Sequence, residues 1–307
     1  MKKRITVVGA AAVGDYIFHV DHLPEMGEIV RVTTEPQPLV LGGCAPNISA
    51  GMAALGQIEP ILHYPVGDDA ETQEVLKEWD SRGINCKLTV VPGCVSGRSW
   101  MFMQDDGTTM CFAYPGAAGE AAAGNCEMEE WILVAPVLNQ FTKAYLDAAV
   151  KDGKKIAVTG IGSRELVPYL EKLCVLVINR LECASLCAGA GCGSAQELSC
   201  LYPDLFLYVT NGSKGSSLYR GGQEDVIPTV QATRLVDFTG AGDSYTAGVM
   251  SSLLAGYDPV DAGWLGAAVA SYVVAEFGGM DKFPTWDMLF QCLEEQFGRN
   301  IPRSAVC

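Results

Sequence analysis

The chain has 307 residues, 49% of them apolar, which suits a large buried core and excludes a disordered polymer. Its formal charge of −15 argues against a nucleic-acid backbone as partner. No apolar run reaches the roughly 18 residues of a membrane span, so no membrane partner is expected.

After Met1, residues 2–4 are basic and 5–13 apolar or small, superficially like a signal peptide. Gly14-Asp15 ends that stretch early, and a buried first strand over 5–8 explains it better. The glycines from Gly9 to Gly14 lack the third glycine of a dinucleotide fingerprint, and Asp15-Tyr16 replaces the Lys-Ser/Thr of a Walker A loop. Asp15 stands at a strand end, where a carboxylate points into the ligand crevice of an open α/β sheet and could accept from two adjacent hydroxyls. A plain turn residue is the other reading.

Residues 16–41 and 97–114 alternate apolar and polar positions, with turn signals such as Asp105-Asp106-Gly107. They predict antiparallel strands in a small sheet. No linker sets them apart, so they read as a lid inserted into a single domain covering 1–307. Trp100, Phe102, Phe112 and Tyr114 recur at period two. Facing the cleft they would stack on a sugar or a nucleobase; facing inward they would pack in the core.

Between these segments, Gly42-Gly43-Cys44-Ala45-Pro46-Asn47 opens a helix over 51–55. Paired glycines let a ligand lie against the backbone, and Asn47 offers a donor and an acceptor suited to a pair of hydroxyls. A glycine turn with a structural asparagine is the alternative. Further strands are predicted at 61–65, 131–134, 156–158, 175–178 and 206–210. Helices are predicted at 71–81, 143–152, 165–173, 195–201, 244–255 and 260–277. Buried strands alternating with helices predict an α/β fold with a mostly parallel sheet covered on both faces.

Asn179 and Glu182 follow the strand at 175–178, three residues apart. They suit hydrated magnesium or its phosphates, or else begin a surface helix. Thr210-Asn211-Gly212-Ser213-Lys214-Gly215 reads as a hairpin turn or a nucleotide cradle, and spacing alone favours the turn. Twelve cysteines are scattered without a framework, and the closest group, Cys183, Cys187 and Cys192, has no histidine beside it. Reduced thiols of a cytoplasmic protein are the expectation.

The most telling segment is Asp237-Phe238-Thr239-Gly240-Ala241-Gly242-Asp243. Glycines opening a helix present unpaired N–H groups to an anion. A carboxylate there would repel phosphate unless it serves as base for an attacking hydroxyl.

In their order along the chain, these pieces resemble the ribokinase-like (PfkB) family of carbohydrate and nucleoside kinases. Val66-Gly67-Asp68-Asp69 and Leu23-Pro24-Glu25-Met26-Gly27-Glu28 also look like segments of that family. The resemblance implies a three-layer α/β/α domain with a small β-sheet lid over the sugar. It implies Asp243 as catalytic base, with the amides of Gly240, Ala241 and Gly242 as an anion hole. Asp15, Gly42, Gly43 and Asn47 would bind substrate hydroxyls. Asn179 and Glu182 would organise Mg2+, directly or through water. Thr210, Gly212 and Gly215 would line the ATP site, with residues 268–272 near the adenine. Asp237 and Thr239 mark the place where some relatives hold a potassium ion; here Lys282 either supplies that positive charge or points to solvent.

The expected function is ATP- and magnesium-dependent phosphorylation of a primary hydroxyl on a small sugar or sugar acid. A nucleoside or pseudouridine-type kinase is the alternative within enzymes, and a weakly catalytic sugar- and nucleotide-binding sensor the alternative outside them. Pro115-Gly116-Ala117-Ala118 lacks the asparagine that ribokinase-type sequences often carry, which argues against strict ribose specificity. Pairing of lids in a homodimer is a further expectation.

Overall fold

The computed structural model describes residues 2–33, 35, 40–104, 108–236, 238–275 and 283–303. Its centre is β1 (Lys3–Gly9), an apolar strand between β4 (Ile58–Val66) and β8 (Trp131–Ala135). β5 (Asn85–Val90) lies outside β4, while β9 (Lys155–Thr159), β10 (Leu173–Asn179) and β11 (Phe206–Thr210) follow beyond β8. All of these pair in parallel. An antiparallel hairpin of β12 (Ser216–Arg220) and β13 (Gln223–Ile227) ends the sheet on the β11 side.

Successive side chains of a strand point to opposite faces, so these apolar strands feed two cores. Ile5, Val7, Leu133, Ala157, Val175 and Val177 pack on the side of α1 (Cys44–Leu55), α2 (Ala70–Ser81) and α7 (Ala241–Ala255). Val8, Ile132, Val134, Ile156, Val158, Leu176 and Ile178 pack against α4 (Gln140–Lys151), the 3-10 segment Arg164–Lys172, α5 (Arg180–Ala190) and α6 (Ala195–Leu201). Each fully buried Ile or Leu contributes about 1.5–3 kcal/mol, so the two cores hold the sheet between its helix layers. α8 (Pro259–Val273) and α9 (Trp286–Phe297) meet in a further apolar cluster that includes Trp264, Leu265, Leu289 and Leu293. The short helix α3 (Ala117–Glu120) completes the described helices.

The second sheet runs β3–β2–β6–β7, from β2 (Gly14–His19), β3 (Val40–Leu41), β6 (Arg98–Met103) and β7 (Thr109–Tyr114). It is mixed, where the sequence predicts antiparallel pairing throughout: β2 and β6 are parallel. The cause is topological. β2 follows β1 and β6 follows β5 after short connections, and β1 and β5 already run in the same direction in the main sheet. The turn predicted at 105–107 lies outside the described residues, but Gln104 N donates to Thr108 O at 2.9 Å beside it.

Three predicted helices differ in detail. α1 starts at Cys44, because Pro46 sits in the first turn, where its missing N–H has no intrahelical role. Residues 164–172 are 3-10 rather than α-helical, with Pro168 inside. The helix predicted to run to 277 ends at Val273. Among the described residues no helix is long and apolar enough to cross a membrane.

Candidate active site

The parallel strands all end on one edge of the main sheet, and α7 begins above that edge. Gly240 is its N-cap in the left-handed region, φ +74°, which a side chain would disfavour. Three contacts pin the first turns of α7. The Tyr245 and Ser216 hydroxyls are hydrogen-bonded at 2.9 Å, which ties α7 to β12. Thr246 Oγ1 meets Thr159 Oγ1, at the end of β9, at 3.1 Å. Asn47 Nδ2, from α1, donates to Asp243 Oδ2 at 2.7 Å.

The first amides of a helix have no intrahelical acceptor. Of the three amides predicted to form an anion hole, that of Ala241 donates to Phe238 O at 3.2 Å within the preceding turn. Gly242 is exposed, and a Cβ placed there would meet nothing within 4 Å. Open space therefore lies against this helix start, where the macrodipole favours negative charge. Asp243 is partly accessible from the same space.

On the α1 side, Asp15 is only 9% exposed, and its Oδ1 accepts a hydrogen bond from Ser99 Oγ across the small sheet. Gly42 lies against that carboxylate, so any side chain there would overlap Asp15 Oδ2. Gly43 has φ +92°, and a Cβ would run into Ala12 O. The buried Tyr64 hydroxyl holds the neighbouring loop, donating to Ala12 O at 2.8 Å and accepting from Ala11 N at 3.0 Å. Asn47 is 6% exposed, and its Oδ1 is buried with no hydrogen-bond partner among the described residues. Such an acceptor costs free energy unless a ligand donates to it.

Burial raises the affinity of Asp243 for a proton, while hydrogen bonds from Asn47 and Cys44 oppose that shift. Burial likewise pushes Asp15 up; the Ser99 hydrogen bond works against it, and the nearby charge of Asp243 adds to it. Asp15, Gly42, Gly43, Asn47 and Asp243 are thus brought together, at the junction of β2, α1 and α7.

Asn179 and Glu182 sit at the far side of the same edge. Asn179, the last residue of β10, pairs in register with Thr210, the last of β11. Both acid and amide take part in a capping box on α5. Asn179 Oδ1 accepts from Leu181 N and Glu182 N, each at 2.9 Å, and Glu182 Oε2 accepts from Asn179 N at 2.8 Å. Gly212 and Gly215 lie in the turn joining β11 to β12, where Asn211 N donates to Gly215 O at 2.8 Å. Thr239 lies in the turn before α7, while Asp237 and Lys282 lie outside the described residues.

The aromatic stripe does not face the cleft. Asp15 pairs with Ser99, so the next pair in register, Tyr16 with Trp100, points to the opposite face. Trp100 in turn pairs with Phe112, and Arg98 with Tyr114. Tyr16 stacks on Trp100, and Phe18 on Phe102, with ring centroids 6.1 and 5.0 Å apart. The face shared with Asp15 and Ser99 instead carries Ile17, Met101, Cys111 and Ala113.

Several site neighbours escape a sequence reading. Ser99 is identifiable only once its register with Asp15 is known, and Tyr64 acts across the sheet without any local signal. Cys44 stands inside the glycine motif but carries no signal of its own, and its influence on Asp243 depends on how α1 and α7 pack.

Residues 2–286 match the pfkB family carbohydrate kinase domain. The chain belongs to the pfkB carbohydrate kinase family. It is therefore a kinase, a phosphotransferase acting on a sugar or nucleoside. It is 29% identical over 302 residues to a nucleoside kinase of Methanocaldococcus jannaschii, covering 95% of this chain and 97% of the relative. The crystal structure of the nucleoside kinase of that organism superposes with a TM-score of 0.81, covering 96% of this chain and 99% of that one. A Burkholderia thailandensis nucleoside kinase in complex with inosine shares the fold at 21% identity and TM-score 0.84, covering 96% and 99%. An Arabidopsis thaliana ribokinase complexed with ribose and ATP does so at 23% and 0.76, covering 96% and 99%.

Kinases of this pfkB family use ATP with a divalent metal, and the residues present fit both. The open helix start at Gly242 suits phosphate oxygens. Glu182 is a hard oxygen donor with one carboxylate oxygen outside the capping box, which suits a hydrated magnesium better than a direct protein cage.

Proposed function

We propose that this pfkB kinase transfers the terminal phosphoryl group of ATP to the primary hydroxyl of a nucleoside. The observation that carries the substrate class is the division of the cleft into a polar floor and an apolar roof. Asp15 and Asn47 can bind ribose hydroxyls below. Met101, Cys111 and Ala113 offer an apolar surface to a planar base above, backed by the buried Ile17. A sugar acid would need a cation for its carboxylate, and no lysine or arginine lies on that face of the small sheet among the described residues. The nucleoside kinase name of the relative at 29% identity supports the same choice. A simple sugar would meet the same floor but leave the roof unused.

In this proposal Asp243 takes the hydroxyl proton while the oxygen attacks the terminal phosphorus in line. The start of α7, open at Gly242, stabilises charge on the transferring group through its amides and dipole. Magnesium, when bound, neutralises the phosphate oxygens, and Glu182 would hold it through water. Asn179 keeps Glu182 in place through the capping box, and Thr210, Gly212 and Gly215 line the nucleotide. The small sheet serves as a lid on one kinase domain, excluding water during transfer.

The partly exposed outer face of that lid, with Tyr16, Trp100, Phe112 and Tyr114, is where a second copy would pack, and sedimentation of a Trp100→Glu variant would test it. A cytoplasmic setting, where ATP is available, completes the proposal. The experiment for substrate class is a coupled assay with ATP-magnesium across inosine, adenosine, cytidine, pseudouridine, ribose, fructose and 2-keto-3-deoxygluconate. Nucleosides should turn over with at least tenfold higher kcat/KM; a preference for the sugar acid would overturn the assignment.

A further inference from the structure

One carboxylate of the cleft is held by the small sheet itself. Asp15 of β2 and Ser99 of β6 pair in register, both are buried, and Ser99 Oγ donates to Asp15 Oδ1. The other oxygen, Oδ2, lies over Gly42 in the turn leading into α1, where room exists because glycine has no Cβ. The rotation of the carboxylate is thus set from both ends. β6 is itself fastened just before Ser99. Arg98 Nη2 lies 2.8 Å from Asp69 Oδ1 and 2.7 Å from Glu71 Oε2, and Ser96 N donates to Asp69 Oδ2 at 2.7 Å. Asp69 is the N-cap of α2, so the serine hangs from an element of the main sheet's helix layer.

A carboxylate has about four acceptor positions. Among the described residues one donor, Ser99, reaches the Asp15 side chain. Burying a charge for a single hydroxyl contact costs more than it returns, and the rest of this face of the small sheet is apolar. A bond that served only the sheet would not need the charge. The remaining acceptor positions, like the buried Asn47 Oδ1, are suited to the hydroxyls of a ligand.

We propose that Ser99 is a positioning residue of the reaction: its hydroxyl holds Oδ1 of Asp15 so that Oδ2 meets one secondary hydroxyl of the ribose, while Asn47 Oδ1 takes the neighbouring one. This rests on the nucleoside reading, with Asp15 on the ribose. Ser99 acts through Asp15 and touches no reacting atom. Without it the carboxylate is free to turn, and the diol loses a fixed acceptor while the primary hydroxyl and Asp243 are untouched. The loss falls on ground state and transition state alike, so it shows in KM.

The test is steady-state phosphorylation of inosine and of dideoxyinosine, which lacks both secondary ribose hydroxyls and keeps the primary one, by the wild type, Ser99→Ala and Asp15→Asn. The wild type should favour inosine by about a hundredfold or more in kcat/KM. Ser99→Ala should lower kcat/KM for inosine by about tenfold, nearly all through KM, and change that for dideoxyinosine by less than about twofold. Asp15→Asn should narrow the preference further. Any loss of folded protein cancels in the ratio of the two substrates. Equal losses on both substrates, or an unchanged KM for inosine, would overturn the role of Ser99 while leaving the wild-type preference in place. If the wild type shows no preference or phosphorylates neither, or if Asp15→Asn keeps the preference, the reading of Asp15 on a ribose diol fails and this role with it.

Discussion

The amide of Asn47 and the carboxylate of Asp243, 196 residues apart in sequence, meet at 2.7 Å and join the first turns of two helices. Each helix is opened by glycine, and the bond places an asparagine with a buried, unpartnered Oδ1 against the acid at the helix start. Replacing Asn47 with Ala removes this donor and also the buried acceptor next to it. We expect kcat/KM to fall by about tenfold or more, with both KM and kcat affected, since the residue serves substrate and base at once. A change confined to thermal stability would place Asn47 outside the site.

Gly43→Ala tests the backbone that delivers Asp15 and Asn47 to one another. The position has φ +92°, and the new Cβ would overlap Ala12 O, whose carbonyl also accepts from Tyr64. A destabilisation of about 2 kcal/mol or more is expected in denaturant unfolding, together with loss of nucleoside binding. Gly242→Ala, where a Cβ meets open space, should fold normally and lose ATP turnover through obstruction of the anion site.

The two faces of the lid give opposite expectations. Met101→Lys places a charge against the base and should raise the nucleoside KM by tenfold or more, by about the cost of an apolar contact replaced with an unpaired cation. Trp100→Ala lies on the outer face and should leave that KM within about twofold. Steady-state kinetics of the pair decides which face covers the substrate.

That assignment also marks a limit of the sequence. The period of two at Trp100, Phe102, Phe112 and Tyr114 is plain, but the phase of an alternation needs one fixed point. The Asp15–Ser99 pair supplies it only in three dimensions. Parallel pairing of β2 with β6 was hidden for a similar reason, because it follows from the directions of β1 and β5. The strands β5, β12 and β13 carry too many polar residues to announce themselves, since they lie at or near the sheet edges. What was legible were features with local causes. Continuous apolar runs marked the central parallel strands, and glycines next to polar residues marked α1 and α7. Asn179 and Glu182 were legible as a pair too, and the structure joins them in the capping box that starts α5.

Stability should respond to acid through His63. Burial among the core residues, with Lys87 nearby, pushes its pKa down to about 4, and its Nδ1 lies 2.9 Å from Tyr145 Oη. In the unfolded chain histidine titrates near 6.5, so below that pH the unfolded state binds the extra proton first. The neutral-histidine contribution is complete above about pH 6.5 and declines as pH falls toward 4, by a few kcal/mol in all. Thermal unfolding between pH 4 and 8 should show this slope in the wild type and a weaker one in His63→Gln.

The central claim is that Asp243 removes a proton from the attacking hydroxyl. Its most direct test is single-turnover phosphorylation by Asp243→Asn at saturating ATP-magnesium and nucleoside, with binding of both measured separately. The account predicts near-normal binding and a phosphoryl-transfer rate lowered by about a hundredfold or more. Transfer at a rate close to the wild type would contradict it.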